Sequence, residues 1–375
     1  MGILVNMETR VCVQGITGRI GRTQTEHMIK EGTNIVSGVT PGKGGEIVAG
    51  VPVFDSVAQA QAEAPADASV IFVPPSAAEG ACMEAIEAGV QLLVLITEGV
   101  PVHSTMRIRA RAEAAGARLI GPTTPGIIVP GCQKLGIMPA RLFTPGHVGV
   151  ISRSGTLSYE ISGALSAAGL GQSTVVGIGA DPVVGTDIQT LMQLFNDDPA
   201  TEVVVLVGEV GGNQEERAAE YVVNMNKPVV AYVAGQSVPQ GVRMGHAGAI
   251  VGTGTGRAID KMRAFEQAGA RVAQRPYEVV RLVREALESG NRMTKKNKQV
   301  TVWIDADFCK GTEGCNLCIH VCPEGVIGAS PQLSLKGVHL AVVQHLEHCT
   351  GCELCMLYCP DLAVTVERAE VGRYA

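Results

Sequence analysis

Eight of the chain's eleven cysteines lie between residues 309 and 359, in two runs of four that are each closed by proline. Cys349-x2-Cys352-x2-Cys355-x3-Cys359-Pro360 has the spacing that wraps a [4Fe-4S] cluster. Cys309-x5-Cys315-x2-Cys318-x3-Cys322-Pro323 follows it too, apart from three extra residues, Thr312 to Gly314. This is a severe constraint, because eight thiolates must converge through short turns on two small sites. In a two-cluster arrangement the Cys-Pro member of each run faces the other cluster. The spacing therefore predicts Cys309, Cys315, Cys318 and Cys359 around one cluster, and Cys349, Cys352, Cys355 and Cys322 around the other. Zinc is the alternative, but its knuckles would be Cys-x-x-Cys pairs separated by a longer gap.

The other three thiols, Cys12, Cys82 and Cys132, sit in apolar or loop surroundings and read as structural. With eight thiolates available, His320, His339, His345 and His348 read as surface or packing residues. Met1 to Arg10 lacks the charged, apolar and small-residue segments of a secretory signal. The expected compartment is thus cytoplasmic, where clustered cysteines serve metals rather than disulfides. Mean hydropathy is +0.21, yet the apolar runs have strand length and fall short of a membrane span. A net charge of -6 argues against a nucleic-acid partner.

Upstream, short apolar runs alternate with helical segments: 11–14, 35–39, 69–73, 92–96, then 148–152, 175–178, 203–208 and 229–233. This pattern predicts parallel βαβ units, hence an α/β fold. A stretch dense in Pro and Gly, 121–146, divides the series into two domains, 1–146 and 147–288. Residues 289–300 carry Arg292, Lys295, Lys296 and Lys298 with no acid and no apolar periodicity, which reads as a solvated linker. The cysteine-rich domain then occupies 301–375, where nine acids face four bases and suit a basic docking partner.

Gly15-Ile-Thr-Gly18-Arg-Ile-Gly21 ends a strand and opens a helix, where backbone N–H groups hold a phosphate. No acid ends the second strand to take a ribose hydroxyl, as a dinucleotide site requires. Lys43 stands there instead, favouring a ligand with an additional phosphate, such as CoA. No G-x-x-x-x-G-K-[ST] sequence occurs, so any nucleoside triphosphate must be held mostly by another subunit. Three further loops, Ser152-Arg-Ser154-Gly155, Gly208-Glu209 and Gly245-His246, follow strands and are expected at one sheet edge. A His in a Gly-rich loop beside helix N-termini suits phosphoryl transfer, and Glu209 suits fixing its tautomer. A structural loop His fits the local pattern equally well.

The motifs in order resemble the alpha subunit of succinyl-CoA synthetase and related acid-CoA ligases: Gln-Gly-Ile-Thr-Gly (14–18), Gly-Val-Thr-Pro-Gly-Lys-Gly-Gly (38–45), Ile-Thr-Glu-Gly (96–99), Ser-Arg-Ser-Gly-Thr-Leu-Ser-Tyr-Glu (152–160), Gly-Glu-Val-Gly-Gly (208–212) and Arg-Met-Gly-His-Ala-Gly-Ala-Ile (243–250). The resemblance covers residues 11–288. It implies a Rossmann-like CoA-binding domain followed by a flavodoxin-like ligase domain. It further implies phosphorylation at His246 with Glu209 as partner, CoA contacts from Gly15, Thr17, Gly18, Lys43, Ile96, Thr97 and Glu98, a phosphate cradle at Ser154 and Gly155, and Tyr159 near the acid substrate. An ATP-grasp beta subunit would bind Mg with ATP or GTP. One departure concerns the acid: the family's Gly-Pro-Asn-Cys-Pro-Gly is here Gly-Pro-Thr123-Thr124-Pro-Gly, as in malate-CoA ligases, which also lack the cysteine.

The cysteine domain, with Cys-Pro-Glu-Gly-Val-Ile (322–327), Leu-Lys-Gly (335–337) and Cys-Pro-Asp-Leu-Ala-Val (359–364), is similar to the small α+β bacterial-type ferredoxin delta subunit of 2-oxoacid:ferredoxin oxidoreductases, especially the 2-oxoglutarate enzyme. Succinyl-CoA is that enzyme's product, which points to succinate as the acid and to oxidoreductase subunits as partners. Two other readings remain: a malate- or citrate-CoA ligase subunit, and an electron-transfer scaffold that only binds acyl-CoA.

Overall fold

The computed structural model describes residues 2–239, 245–246, 248–251, 256–294, 299–349 and 351–369. The chain forms two compact units, Met1–Leu287 and Glu288–Ala375. Among the described residues, no helix is long and apolar enough to cross a membrane.

The first unit holds two seven-stranded sheets. Strands β1 (Val11–Gln14), β2 (Ile35–Val39), β3 (Ile47–Val48), β4 (Val51–Phe54), β5 (Ala68–Ile71), β6 (Leu92–Leu95) and β7 (Arg118–Ile120) lie in the order β3-β4-β2-β1-β5-β6-β7. All neighbours are parallel except β3 and β4. Helices α1 (Arg19–Lys30), α2 (Val57–Glu63), α3 (Pro75–Glu87) and α4 (Val102–Ala114) join them. The strands are apolar on both faces because both are covered. In β1, Val11 and Val13 enter one core while Cys12 enters the core on the opposite face.

The second sheet comprises β8 (Gly126–Val129), β9 (Gln133–Gly136), β10 (Pro145–Ser152), β11 (Gln172–Gly177), β12 (Val203–Gly208), β13 (Val229–Val233) and β14 (Arg271–Ala273), in the order β14-β13-β12-β10-β11-β8-β9. Helices α5 (Gly155–Ala167), α6 (Ile188–Asp197), α7 (Gln214–Val222), α8 (Ala258–Gln267) and α9 (Glu278–Thr294) connect or follow its strands. Each sheet reverses its winding beside its first parallel strand, β1 or β10, and such reversals open crevices at strand C-termini.

The change of sheet comes upstream of the expected division at residue 146. The segment 126–136, assigned by sequence to the first domain, forms the antiparallel pair β8 and β9 on the edge of the second sheet. Backbones approach closely there: a Cβ on Gly126 would lie 1.9 Å from the Leu135 carbonyl oxygen. The chain passes from the first sheet to the second between β7 and β8, across residues 121–125. One apolar core spans both sheets, including Val11 and Val13 of β1 with Val204 and Leu206 of β12. Of the expected linker, 289–300, residues up to Thr294 belong to α9 and those from Gln299 to the next strand; residues 295–298 lie outside the described residues.

The second unit pairs β15 (Gln299–Ile304) with β18 (Val364–Ala369) and β16 (Ile327–Leu333) with β17 (His339–Val343), both antiparallel. Single-turn helices α10 (Leu317–His320) and α11 (Leu354–Leu357) carry cysteines between them. Val302, Val326, Ile327, Ala341, Val364 and Val366 form its core together with Cys318 and Cys355.

Candidate functional site

Glu209 follows the last residue of β12, and Ser154 lies two residues past β10, its neighbour in the sheet. The sheet therefore delivers both loops to one edge. The His246 loop joins them there: Gly248 N–H donates to Ala180 O (3.1 Å) and a Cβ on Gly211 would lie 2.1 Å from Gly248 O. Gly211 also has φ +88°, so only glycine fits this contact without strain. Of the motif 243–250, residues 243, 244 and 247 lie outside the described residues.

His246 Nδ1 lies 3.1 Å from Glu209 Oε2, with the Glu209 side chain buried and the imidazole 37% exposed. A carboxylate at Nδ1 selects the Nδ1–H tautomer and leaves Nε2 as the nucleophilic nitrogen. Ser154 caps α5 by accepting from Leu157 N–H (3.3 Å), with Gly155 as the first helical residue. Beside the His loop a cavity of about 260 Å³ is lined by Arg153, Pro182, Gly212, Asn213, Gln214, Gly248 and Ile250. Asn213 is the cap of α7, so that helix's N-terminus faces the cavity. Tyr159 is not brought there: it packs edge-on to Phe143, with ring centroids 6.4 Å apart, over the core beneath α5, and burial pushes its hydroxyl up.

Sequence reasoning passed over a set of buried charges at this edge. Arg153 Nη1 donates to Glu215 Oε1 (2.9 Å), and Lys261 Nζ to Glu215 Oε2 (2.6 Å) and Glu216 Oε2 (2.8 Å). Burial works against charge on Glu215, but Arg153 and Lys261 outweigh it and hold the carboxyl below its usual range. Likewise burial opposes the Arg153 charge, and Glu215 and Glu209 overcome it and push that group up. The one sequence signal was Arg153 inside the Ser-Arg-Ser motif, since nothing local distinguishes Glu215 or Lys261 from surface charges.

At the other crevice, Gly15 (φ +76°) turns the chain out of β1, and a Cβ there would come 3.0 Å from Phe72 O on the neighbouring strand's exit. A Cβ on Gly21 would lie 2.2 Å from Gly15 O, so two glycines let the loop fold onto α1, which Gly18 caps. Thr17 N–H reaches Thr40 Oγ1 at 3.4 Å, bringing the loops after β1 and β2 together. Ile96, Thr97 and Glu98 leave β6 at the same sheet edge, and Thr97 Oγ1 donates to Val73 O (2.6 Å). Lys43 is exposed but paired: its Nζ lies 3.1 Å from Glu46 Oε1, while Arg22 takes Oε2 at 3.4 Å. A phosphate here would compete with Glu46 for both cations. Thr124, where the resembling family has cysteine, is buried and bridges Gly177 O (2.5 Å) and Gly126 N–H (2.9 Å).

In the second unit the eight cysteines sort into two rings. Cys309, Cys315, Cys318 and Cys359 line one cavity with Ile304, Ala341 and Val364; Cys322, Cys349, Cys352 and Cys355 line another with Val302, Val326, Ile327 and Val366. Each ring thus combines three thiols of one run with the Cys-Pro thiol of the other. Val326 N–H donates to Cys322 Sγ and Ala363 N–H to Cys359 Sγ, each at 3.3 Å. Soft thiolate donors, apolar walls and N–H···S bonds fit [4Fe-4S] clusters. Among the described residues no group of His, Cys, Asp or Glu is placed to hold a single metal ion. Burial first, then the neighbouring thiols, push Cys318 up to about 11 and Cys355 in the same direction. The inserted residues are tied down: Thr312 N–H donates to His339 O (2.7 Å) and Glu313 Oε1 lies 2.5 Å from His339 Nδ1. Cys12 and Cys82 are pushed by burial up to about 11 and about 12, which makes them inert core thiols.

Residues 6–99 match the CoA binding domain family, residues 151–271 the CoA-ligase family and residues 308–363 the 4Fe-4S dicluster domain family. The chain is 57% identical over 287 residues to succinate–CoA ligase (ADP-forming) subunit alpha 2 of Archaeoglobus fulgidus, covering 76% of this chain and all of that protein. It is 51% identical over 285 residues to the alpha subunit of the same ligase from Methanothermobacter thermautotrophicus, covering 76% of this chain and 97% of that one. Among solved structures, the D541A mutant of Methanosaeta concilii ATP citrate lyase in complex with (3S)-citryl-CoA aligns with TM-score 0.70 at 27% identity, over 76% of this chain; the chain spans about half of that protein's length. The apo dinucleotide-forming acetyl-coenzyme A synthetase 1 of Ca. Korarchaeum cryptofilum shares the fold, with TM-score 0.60 at 22% identity over 78% of this chain and 62% of that one.

Proposed function

Since the chain belongs to the succinate–CoA ligase alpha-subunit family and carries a 4Fe-4S dicluster domain, we propose that it works as the CoA-binding, phosphohistidine-carrying subunit of an acid-CoA ligase coupled to ferredoxin-linked electron transfer. The observation that carries this reading is the buried Glu209 carboxylate 3.1 Å from His246 Nδ1, at the edge where α5 and α7 begin. A retired active site has no reason to keep that pair, which weighs against a scaffold that merely binds acyl-CoA.

In this reading a beta subunit of the ATP-grasp type holds Mg with ATP or GTP. His246 Nε2 attacks the γ-phosphorus and the bond to the nucleoside diphosphate breaks. Glu209 accepts the Nδ1–H hydrogen bond and stabilises the imidazolium formed in transfer. Helix N-termini favour the phosphoryl charge. A carboxylate oxygen of the acid then takes the phosphoryl group from Nε2. The CoA thiol attacks the resulting acyl phosphate, releasing phosphate and giving its proton to that leaving group or to water. Gly15, Thr17, Gly18, Lys43 and Ile96 to Glu98 hold CoA, Ser154 and Gly155 hold the phosphate, and succinate is the acid. Thr124, which departs from the succinate pattern, keeps malate and citrate as the competing substrates. The clusters supply one-electron transfer, and the acidic unit that holds them docks a 2-oxoacid:ferredoxin oxidoreductase, the maker of the same thioester.

The test is incubation of the chain and its partner subunit with labelled ATP or GTP. An acid-labile, base-stable label on His246 is expected, and succinate should drive CoA-dependent turnover better than malate or citrate. A His246→Asn protein that still labels fully overturns the assignment. Anaerobic pull-down then reads the oxidoreductase partner, and its absence removes that part of the proposal.

A further inference from the structure

Beneath the His246–Glu209 pair, the buried charges have no part in the transfer steps above. Arg153, Glu215 and Lys261 are 3%, 0% and 0% exposed. Charges at that depth need opposite charges and hydrogen bonds beside them, although Arg153 Nε finds no partner among the described residues. Lys261 Nζ reaches Glu215 (2.6 Å), Glu216 (2.8 Å) and Gly212 O (3.0 Å), and Arg153 Nη1 reaches Glu215 (2.9 Å) and Gly211 O (3.0 Å). Glu215 Oε1 also accepts the backbone N–H of Glu209 itself, at 3.1 Å. Every contact thus ends on residues 209–216, the loop that carries Glu209 and opens α7.

The contact from Arg153 to the Glu209 side chain is slack by comparison. Arg153 Nη2 stands 3.4 Å from Glu209 Oε1, and that oxygen makes no hydrogen bond among the described residues, while Oε2 holds His246. Among the described residues of this cluster, two cations, Arg153 and Lys261, face three carboxylates, Glu209, Glu215 and Glu216. We propose that Arg153, Glu215 and Lys261 are positioning residues: Glu215, gripped by both cations, holds Arg153 back from Glu209, so Glu209 remains the acceptor for His246 Nδ1. Without the Glu215 charge, Arg153 turns to the nearest remaining carboxylate and draws it away from the imidazole. This inference rests on the phosphohistidine reading and deepens it.

The test uses the full chain with ¹⁵N-labelled histidine, His246 being assigned from the spectrum of His246→Asn. The wild-type ring should be the Nδ1–H tautomer; an Nε2–H ring overturns the proposal. Glu215→Gln should shift the ring toward Nε2–H. In the complex with the beta subunit it should slow His246 phosphorylation on the order of tenfold to a hundredfold with nucleotide KM unchanged. Arg153→Lys, which keeps the charge but loses the two-pronged guanidinium, is the second variant and should act in the same direction. A variant that melts earlier yet keeps the wild-type tautomer and rate shows a merely structural role and overturns the proposal. A wild-type chain that is Nδ1–H but takes no label sinks the phosphohistidine reading while the positioning geometry stands.

Discussion

Neighbouring glycines separate backbone strain from steric collision at the His246 loop. Gly211 and Gly212 both have positive φ, +88° and +61°. A Cβ on Gly212 would meet nothing within 4 Å, whereas one on Gly211 would sit 2.1 Å from Gly248 O and 2.8 Å from Ile250 N. Gly212→Ala therefore carries only the left-handed cost, about 1–2 kcal/mol. A unit of 287 residues unfolds with roughly 0.6 kcal/mol per degree, so its melting temperature should fall by about 2 to 3 °C. Gly211→Ala adds a collision that needs about 1.3 Å of retreat to become an ordinary contact. Neither side yields freely, because Gly211 N–H is bound to Gly256 O (2.8 Å), Gly211 O to Arg153 (3.0 Å) and Gly248 N–H to Ala180 O (3.1 Å). Gly248 lies two residues from His246, and stretching the 3.1 Å contact to Glu209 by about 1 Å leaves no hydrogen bond. Phosphorylation of Gly211→Ala should be slower on the order of a hundredfold, with Gly212→Ala within a few-fold of wild type. Rapid-quench labelling with the beta subunit measures both rates. Equal rates for the two variants would refute the argument that the glycine contact places the histidine.

Lys261→Met leaves a buried Glu215 short of one partner and should destabilise the first unit by about 3–5 kcal/mol, read by denaturant titration; a loss under about 1 kcal/mol contradicts the pairing described. Anaerobic reconstitution of the chain should bind about eight iron and eight sulfide, and tightly held zinc in their place would be the contrary result. The Arg107 hydrogen bonds hold Glu79 down to about 2. A depressed carboxyl contributes stability above its ordinary range near pH 4.5 and loses it as pH falls toward 2. The melting difference between wild type and Arg107→Gln should accordingly be full above pH 5 and vanish near pH 2, and a difference independent of pH contradicts it.

The sequence alone determined the elements whose physics is local. Cysteine spacing along short turns dictated which four thiols share a ring, because a few residues of chain leave each thiol one reachable site. The eight strands that could be read had continuous apolar runs, as burial on both faces demands. His246 and Glu209 were visible as motif residues of a recognisable family. What remained hidden depends on distance in sequence. Strands β8 and β9 looked like a Pro- and Gly-rich boundary, and only the close backbone contacts at Gly126 and Gly136 reveal them as strands of the second sheet. Arg153, Glu215 and Lys261 are separated by 62 and 46 positions. A charge declares itself buried only when tertiary packing excludes water from it and supplies its partner, so that cluster could be decided by the structure alone.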